Sequence, residues 1–109
     1  MSDVFKIKRN DTSPSIKYRI RAVDLTGATA RFLMRVAEKP ESLAIVNKNC
    51  TLSQVGSDAI FQYDWSEPDT TTAGIFDAEF EVTYPGGAVE TFPNKGYIRI
   101  SISADIRTA

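Results

Sequence analysis

The sequence predicts an all-β domain, an antiparallel sandwich of two sheets, from three observations. Apolar and polar residues alternate along most of the chain, which is typical of strands with one buried face. Turn-forming residues separate seven or eight such segments at intervals of roughly ten residues. No long segment has the periodicity of a helix. A closed barrel is the alternative arrangement of the same strands.

The clearest strand runs from Phe76 to Tyr84. Side chains on a strand change face at every residue. One face is therefore apolar and consists of Phe76, Ala78, Phe80, Val82 and Tyr84, while the other, which we expect to be wet, carries Asp77, Glu79, Glu81 and Thr83. The segment Pro85-Gly86-Gly87 then predicts a tight turn, because proline fixes φ and glycine accepts a positive φ.

The other strands are shorter and are predicted at 4–8, 16–22, 30–36, 43–52, 59–65, 88–92 and 97–106. Turns or loops are predicted at 24–27, 38–42 and 56–58, with a kink at 93–96. The segment 66–72 predicts one helical turn, with Ser66 as its cap, Pro68 in its first turn and Asp69 three residues after the cap. No repeat or linker interrupts the pattern, so we expect one domain over residues 1–109.

Composition limits the classes of function. Thirteen basic and fourteen acidic residues leave a net charge of −1, which favours neither nucleic acid nor an anionic membrane as a partner. The chain has no histidine and a single cysteine, Cys50. It therefore lacks the commonest general base and cannot form an internal disulfide or a cysteine-rich zinc site. The N-terminus alternates and has no apolar signal block, so we expect no secretion by a signal peptide.

The acidic row Asp77, Glu79 and Glu81 is the first candidate site. Alternate strand positions lie about 6.5–7 Å apart, so these carboxylates form a line and do not surround a calcium ion. A glycosidase pair would have to face each other across a cleft. If the strands at 30–36 and 97–102 flank this one, then Arg31, Arg35 and Arg99 lie opposite the acids. We therefore interpret the row as cross-strand ion pairs.

Two further groups have a functional and a structural interpretation. Lys6, Lys8, Lys17, Arg19 and Arg21 would form a basic face on the first two strands. Solvated strand faces and edges commonly carry such residues, although docking to an acidic protein remains open. The aromatic residues Phe61, Tyr63 and Trp65 could stack on sugars, but at strand spacing they more often pack inward, and the Trp65 N–H would then bond to the backbone.

Three local motifs are given a structural interpretation. Asn10-Asp11-Thr12 and Asn49-Cys50-Thr51 match the glycosylation pattern, but with no secretory signal expected we interpret them as chance matches. Cys50 has no histidine to activate it as a nucleophile. The residues therefore predict no catalytic, cofactor-binding or metal site, and no cofactor.

The corner before the long strand, Ala73-Gly74-Ile75-Phe76-Asp77-Ala78, resembles the strand-F corner of immunoglobulin domains. Phe76 stands at the tyrosine position and Ala78 at the cysteine position. The chain more closely resembles the N-terminal domain of phage baseplate upper proteins and its stand-alone relatives. This resemblance rests on the order and spacing of four segments: Val23 to Arg35, Phe61 to Trp65, Asp69 to Tyr84 and Glu90 to Tyr97.

The resemblance implies an immunoglobulin-like antiparallel β-sandwich of seven to eight strands with one short helical turn. It also implies a non-enzymatic structural component of a tailed-phage virion, in the tail, baseplate or neck, assembled in the host cytoplasm. The partners would be other virion proteins, met through surface and edge-strand contacts by several copies in a symmetric assembly, with no nucleic acid and no membrane. The alternatives are a capsid decoration protein, a carbohydrate-binding adhesion module based on Trp65, and an enzyme based on the carboxylates alone.

Overall fold

The computed structural model describes residues 4–39 and 43–106, so residues 40–42 of the predicted loop lie outside the described part. The described residues form eight strands and one 3-10 helical turn, Glu67–Thr70. The strands are β1 (Val4–Lys8), β2 (Ile16–Ile20), β3 (Thr29–Val36), β4 (Val46–Val55), β5 (Asp58–Tyr63), β6 (Gly74–Thr83), β7 (Val89–Phe92) and β8 (Ile98–Ser103).

The strands form two layers that pack face to face. The first layer contains β1, β8, β6, β3 and the first half of β4, with β7 beside the second half of β6. The second layer contains the second half of β4, then β5 and β2. Pairing of the second strand with the fifth, and of the third with the sixth, is the arrangement of an immunoglobulin-like sandwich. The fold class predicted from the sequence is therefore confirmed.

The sandwich is open at one side and is not a barrel. The strand order ends at β1 and at β2, and the described residues contain no pairing between these two strands. At the other side β4 joins the layers, because Val46–Cys50 pair with β3 and Thr51–Val55 pair with β5. One strand thus contributes to both sheets.

One pairing differs from the antiparallel expectation, because β1 runs parallel to β8 with Phe5 opposite Ile100 and Ile7 opposite Ile102. The chain passes from the first layer to the second between β1 and β2. No hairpin therefore joins β1 to its neighbour, and nothing in the connection requires an antiparallel direction.

The core consists of aromatic rings from both layers. The Phe80 ring of the first layer stacks on Phe61 of the second at 4.8 Å between centroids and on Tyr18 at 5.9 Å. Phe32 stacks on Tyr63 at 4.5 Å. Phe32, Phe61 and Phe80 are fully buried. These contacts explain the alternation of β6, whose predicted apolar face is buried from Phe76 to Val82.

The predicted helical turn is present and closes one end of the sandwich. The Asp69 carboxylate is buried and accepts hydrogen bonds from the Tyr63 hydroxyl, from the Ser66 backbone N–H at 2.9 Å and from the Lys48 ammonium at 3.0 Å. The Ser66 hydroxyl lies 3.0 Å from the same carboxylate. Burial acts to raise the pKa of Asp69, but the hydrogen bonds outweigh it, and the pKa lies below its usual value.

Several predicted boundaries move by a few residues. β4 runs three residues later than predicted, to Val55, because Gly56 adopts φ +62° and completes a two-residue turn into β5. The last strand ends at Ser103 and leaves Ile106 exposed. Trp65 is buried as expected, but its Nε1 has no hydrogen-bond partner among residues 4–39 and 43–106, so the predicted bond to the backbone is wrong for this part of the chain. The turn after β6 is confirmed, with the Gly87 N–H donating to the Tyr84 carbonyl at 2.8 Å.

Candidate functional site

The side of the first layer that points away from the core, here called the outer face, carries the predicted acidic row. The pairing register places Arg31 opposite Glu81, Leu33 opposite Glu79 and Arg35 opposite Asp77 across β3 and β6. On the other side of β6, β8 places Arg99 opposite Asp77. The flanking strands are therefore those that the sequence predicted.

Asp77 forms two of the predicted ion pairs. Its Oδ1 lies 3.4 Å from Arg99 Nε, and its Oδ2 lies 4.0 Å from Arg35 Nη2. The Glu38 backbone N–H also donates to Oδ2 at 3.3 Å. Asp77 is only 5% exposed, so the expectation that it lies on a wet face is wrong. The guanidinium groups of Arg35 and Arg99 and the start of the loop after β3 shield the Asp77 carboxylate from water.

Arg31 does not form the predicted pair with the acidic row. Its Nε donates to Asn47 Oδ1 at 2.8 Å and its Nη1 donates to Asn49 Oδ1 at 2.7 Å. A third bond joins Nη2 to the Asn47 carbonyl oxygen at 2.8 Å. β4 lies on the far side of β3 and offers three acceptors within reach, so the guanidinium points away from Glu81.

Glu79 and Glu81 consequently differ from Asp77. Both are half-buried, and within residues 4–39 and 43–106 neither carboxylate has a hydrogen bond or an ion pair. Burial raises the pKa of Glu79, the charge of Arg35 opposes this shift, and the charge of Glu81 adds to it. The negative charge of Asp77 is therefore balanced by two arginines, whereas the charges of Glu79 and Glu81 are balanced only weakly.

A cleft of about 200 Å³ opens on this part of the outer face. Tyr97, directly before β8, and Ala44, before β4, lie on opposite sides of it. The other described residues that line it are Leu33, Met34, Arg35, Asp77 and Glu79. The Arg35 guanidinium carbon lies 4.8 Å from the Tyr97 ring centroid, a cation–π contact that orients both side chains.

Sequence reasoning missed Leu33 and Tyr97 as site residues, although both leave a signal in the pattern. Leu33 lies between Arg31 and Arg35 on the polar face of its strand, where an apolar side chain is out of place. Tyr97 shares the phase of Arg99 and Ser101 and therefore faces outward. A single apolar residue in the polar phase of a strand is ordinary, but two of them that line the same cleft indicate a contact surface.

The predicted basic face is not one surface. Lys6 and Lys8 lie on β1 of the first layer, whereas Lys17 and Arg19 lie on β2 of the second. Because the layers pack face to face, their outward side chains point in opposite directions. Arg19 forms a salt bridge with Asp58 at 2.8 Å. Both strands are sheet edges, where exposed lysines discourage edge-to-edge aggregation.

The other candidate residues have structural positions. Phe61, Tyr63 and Trp65 are buried at 0, 3 and 5% exposure, so they present no stacking platform to a sugar. Cys50 is partly buried, and burial raises the pKa of its thiol to about 11, although the charge of Arg31 acts in the opposite direction. Nearly all of the thiol is therefore protonated at neutral pH.

Residues 4–39 and 43–106 contain neither a metal-binding cluster nor a membrane-spanning helix. No group of three or more histidine, cysteine, aspartate or glutamate side chains could hold a metal ion there. No described helix is long and apolar enough to cross a membrane.

The fold and the outer face define an immunoglobulin-like β-sandwich with a small charged and apolar cleft on one sheet. No protein-family model matches the chain, and no curated protein matches it. Among solved structures, murine CRIg is similar with a TM-score of 0.36 and 13% sequence identity, covering 94% of this chain and 92% of that one.

Double-mutant cycles distinguish the pair Asp77 and Arg99, whose charges are in contact, from the pair Arg31 and Glu81, which are opposite in register but not bonded. Alanine substitutions at Asp77 and Arg99 will show a coupling energy of about 0.5–1 kcal/mol in the free energy of unfolding, because their charges lie in contact. The same cycle at Arg31 and Glu81 will show less than about 0.3 kcal/mol, since Arg31 is bonded to asparagines. Urea denaturation of the four single and two double variants measures both values, and a larger coupling for Arg31 and Glu81 would contradict the observed geometry.

Proposed function

We propose that this chain is a non-enzymatic structural component of a tailed-phage virion, placed in the tail, baseplate or neck. It is present in several copies and docks to other virion proteins. The observation that carries the proposal is the outer face of the first layer, which joins a charged cleft to exposed apolar side chains. Ile45, Ile75 and Tyr97 are 53, 44 and 44% exposed, and Ile75 and Tyr97 extend from the two strands that carry Asp77 and Arg99.

The resemblance to phage baseplate domains supports the proposal through the positions of its segments. The aromatic residues of 61–65 lie in the core, and the segment from Asp69 to Tyr84 spans the end of the helical turn and the whole of β6. The segment from Glu90 to Tyr97 ends at the cleft. The segments that carry the resemblance therefore include core strands of the sandwich and one wall of its candidate docking site.

The outer face of the first layer suits a protein that is anchored in an assembly through contacts with neighbouring proteins. Exposed apolar side chains beside charged ones are typical of protein interfaces, in which an apolar centre is surrounded by polar groups. The sheet edges offer a second type of contact, because β1 and β2 each have one unpaired side among the described strands. A capsid decoration protein would use the same surfaces, and it remains the alternative within the virion.

The proposal is tested on purified particles. Virions of the phage that encodes the chain are washed in high salt, and quantitative mass spectrometry measures the chain against the major capsid protein. We expect a constant copy number that is a multiple of a ring or capsid symmetry order, and immunogold labelling at one location. Host proteins of similar size serve as the control for carry-over. Loss of the chain on washing, at the rate of these host proteins, would reject the proposal.

A further inference from the structure

We propose that the cleft between Tyr97 and Ala44 receives one lysine or arginine side chain from a neighbouring virion protein. The aliphatic stem of that side chain lies on Leu33 and Tyr97, and its charge pairs with Glu79. This inference rests on the proposed function, to which it adds the docking surface and the chemistry of the partner.

The charges on the outer face favour a cationic occupant. Asp77 is already engaged by Arg35 and Arg99, and Arg31 is bonded to the asparagines of β4. Among the described lining residues, Glu79 is the remaining carboxylate, with Glu81 two residues farther along the same strand. Neither acid has an ion-pair partner among the residues described. A cation at Glu79 would supply the compensation that Arg35 provides only in part, as the raised pKa of Glu79 indicates.

The size and lining of the cleft favour a side chain. Its volume of about 200 Å³ is below the range of roughly 300–1,000 Å³ that is typical of small-molecule pockets. Lysine and arginine bury an apolar stem along apolar surface while the charged end reaches a polar group. Leu33 and the Tyr97 ring provide that surface, and Glu79 lies between them in the lining.

The surroundings of the cleft favour a protein as the source of this side chain. Ile45 and Ile75 are exposed on the same sheet face, and a free cation would leave both in water. A protein surface that carries one basic residue surrounded by apolar ones would cover them. A basic side chain that neighbouring contacts shield from water in this way can act as the anchor that carries much of the binding energy of an interface.

Binding of the side chain is tested first with small probes. Acetyl-arginine amide and acetyl-norleucine amide, its uncharged counterpart, are titrated into isotopically labelled protein and followed by NMR. We expect saturable shifts at Leu33, Glu79 and Tyr97 with the arginine probe only, and at least threefold weaker binding to E79Q. The matched control is E67Q, because Glu67 is an exposed glutamate on the helical turn, and it should bind as the wild type does. Equal shifts with norleucine, or equal binding to E79Q, would overturn the proposal.

The second test places E79R and Y97S in the phage genome, with E67R as the control. We expect the copy number of the chain per virion to fall at least tenfold for E79R and Y97S and to stay unchanged for E67R, with thermal melts of the purified variants reporting their folding. Normal incorporation of folded E79R would overturn the inference and leave the proposed function standing. Probe binding by a chain that is absent from washed virions would reject the proposed function and leave the cationic cleft. Dimers of the purified chain that E79R abolishes would overturn the choice of a different protein as the partner.

Discussion

Replacing Phe80 by alanine will lower the free energy of unfolding by about 3–5 kcal/mol. Phe80 is fully buried, and its ring contacts Phe61, Tyr18 and Phe32 at centroid distances of 4.8, 5.9 and 5.2 Å. The substitution removes the ring at the point where the two layers meet. Since small domains are stable by only about 5–15 kcal/mol, the loss is a large fraction of the total.

The measurement is equilibrium denaturation in urea, followed by Trp65 fluorescence and by circular dichroism. Phe80→Leu keeps most of the apolar volume and should cost less than the alanine variant, because the cavity is smaller. Val89→Ala is the exposed control, since Val89 is 59% exposed, and it should change stability by less than about 0.5 kcal/mol. A loss below about 1 kcal/mol for Phe80→Ala would contradict the packing of the two layers on this ring.

Replacing Asp69 by asparagine will cost about 2 kcal/mol at neutral pH, because hydrogen bonds to a buried charged group are lost or weakened. The Tyr63 hydroxyl, the Ser66 N–H and the Lys48 ammonium all donate to this carboxylate. These groups come from β4, β5 and the turn itself. The variant therefore loosens the closure at this end of the sandwich.

The same substitution will change the dependence of stability on pH. The pKa of Asp69 is lower in the folded chain than the ordinary value of 3.8, so the folded state binds this proton less readily than the unfolded state does. The contribution of Asp69 is then complete above about pH 5 and is lost as the pH falls through the folded pKa. We expect the gap in unfolding free energy between wild type and Asp69→Asn to narrow between about pH 5 and pH 2.

Other carboxyl groups also titrate in this range, so the comparison needs a matched control. Asp64 is exposed and accepts hydrogen bonds from Ser15 and Gln62, which lower its pKa. Asp64→Asn makes the same chemical change at the surface and should destabilise the fold much less than Asp69→Asn, because solvent screens an exposed carboxylate. A constant gap between wild type and Asp69→Asn from pH 7 to pH 2 would show that the buried carboxylate is not the group that titrates.

Local pattern was sufficient for most of the strands and for the helical turn. The alternation from Phe76 to Val82 predicted both β6 and its buried face, and Ser66, Pro68 and Asp69 predicted the turn. These features depend on neighbours within a few residues in the chain. Observed strand boundaries differ from the predicted ones where a turn residue ends the strand, as Gly56 does after β4.

The local sequence pattern was not sufficient to predict which groups the charged side chains contact. Arg31 and Arg35 occupy equivalent phases of β3 and face acids in register, yet Arg35 lies beside Asp77 and Arg31 bonds to Asn47. The choice depends on β4, which brings competing acceptors from the other side. Lys48 likewise reaches Asp69 across 21 positions of sequence, and no local spacing contains that contact.

The sequence by itself determined an all-β sandwich, its strand phases and the turns between them, because alternation and turn chemistry are properties of neighbouring residues. Only the tertiary structure decided that Asp77 is buried, that Glu79 and Glu81 have no hydrogen-bond or ion-pair partner among the described residues, and that Leu33 and Tyr97 line a cleft with Glu79. A side chain chooses among all groups within its reach, and those groups come from strands far apart in the chain. The candidate docking site therefore follows from the packing of β3, β6 and β8, and not from any one strand.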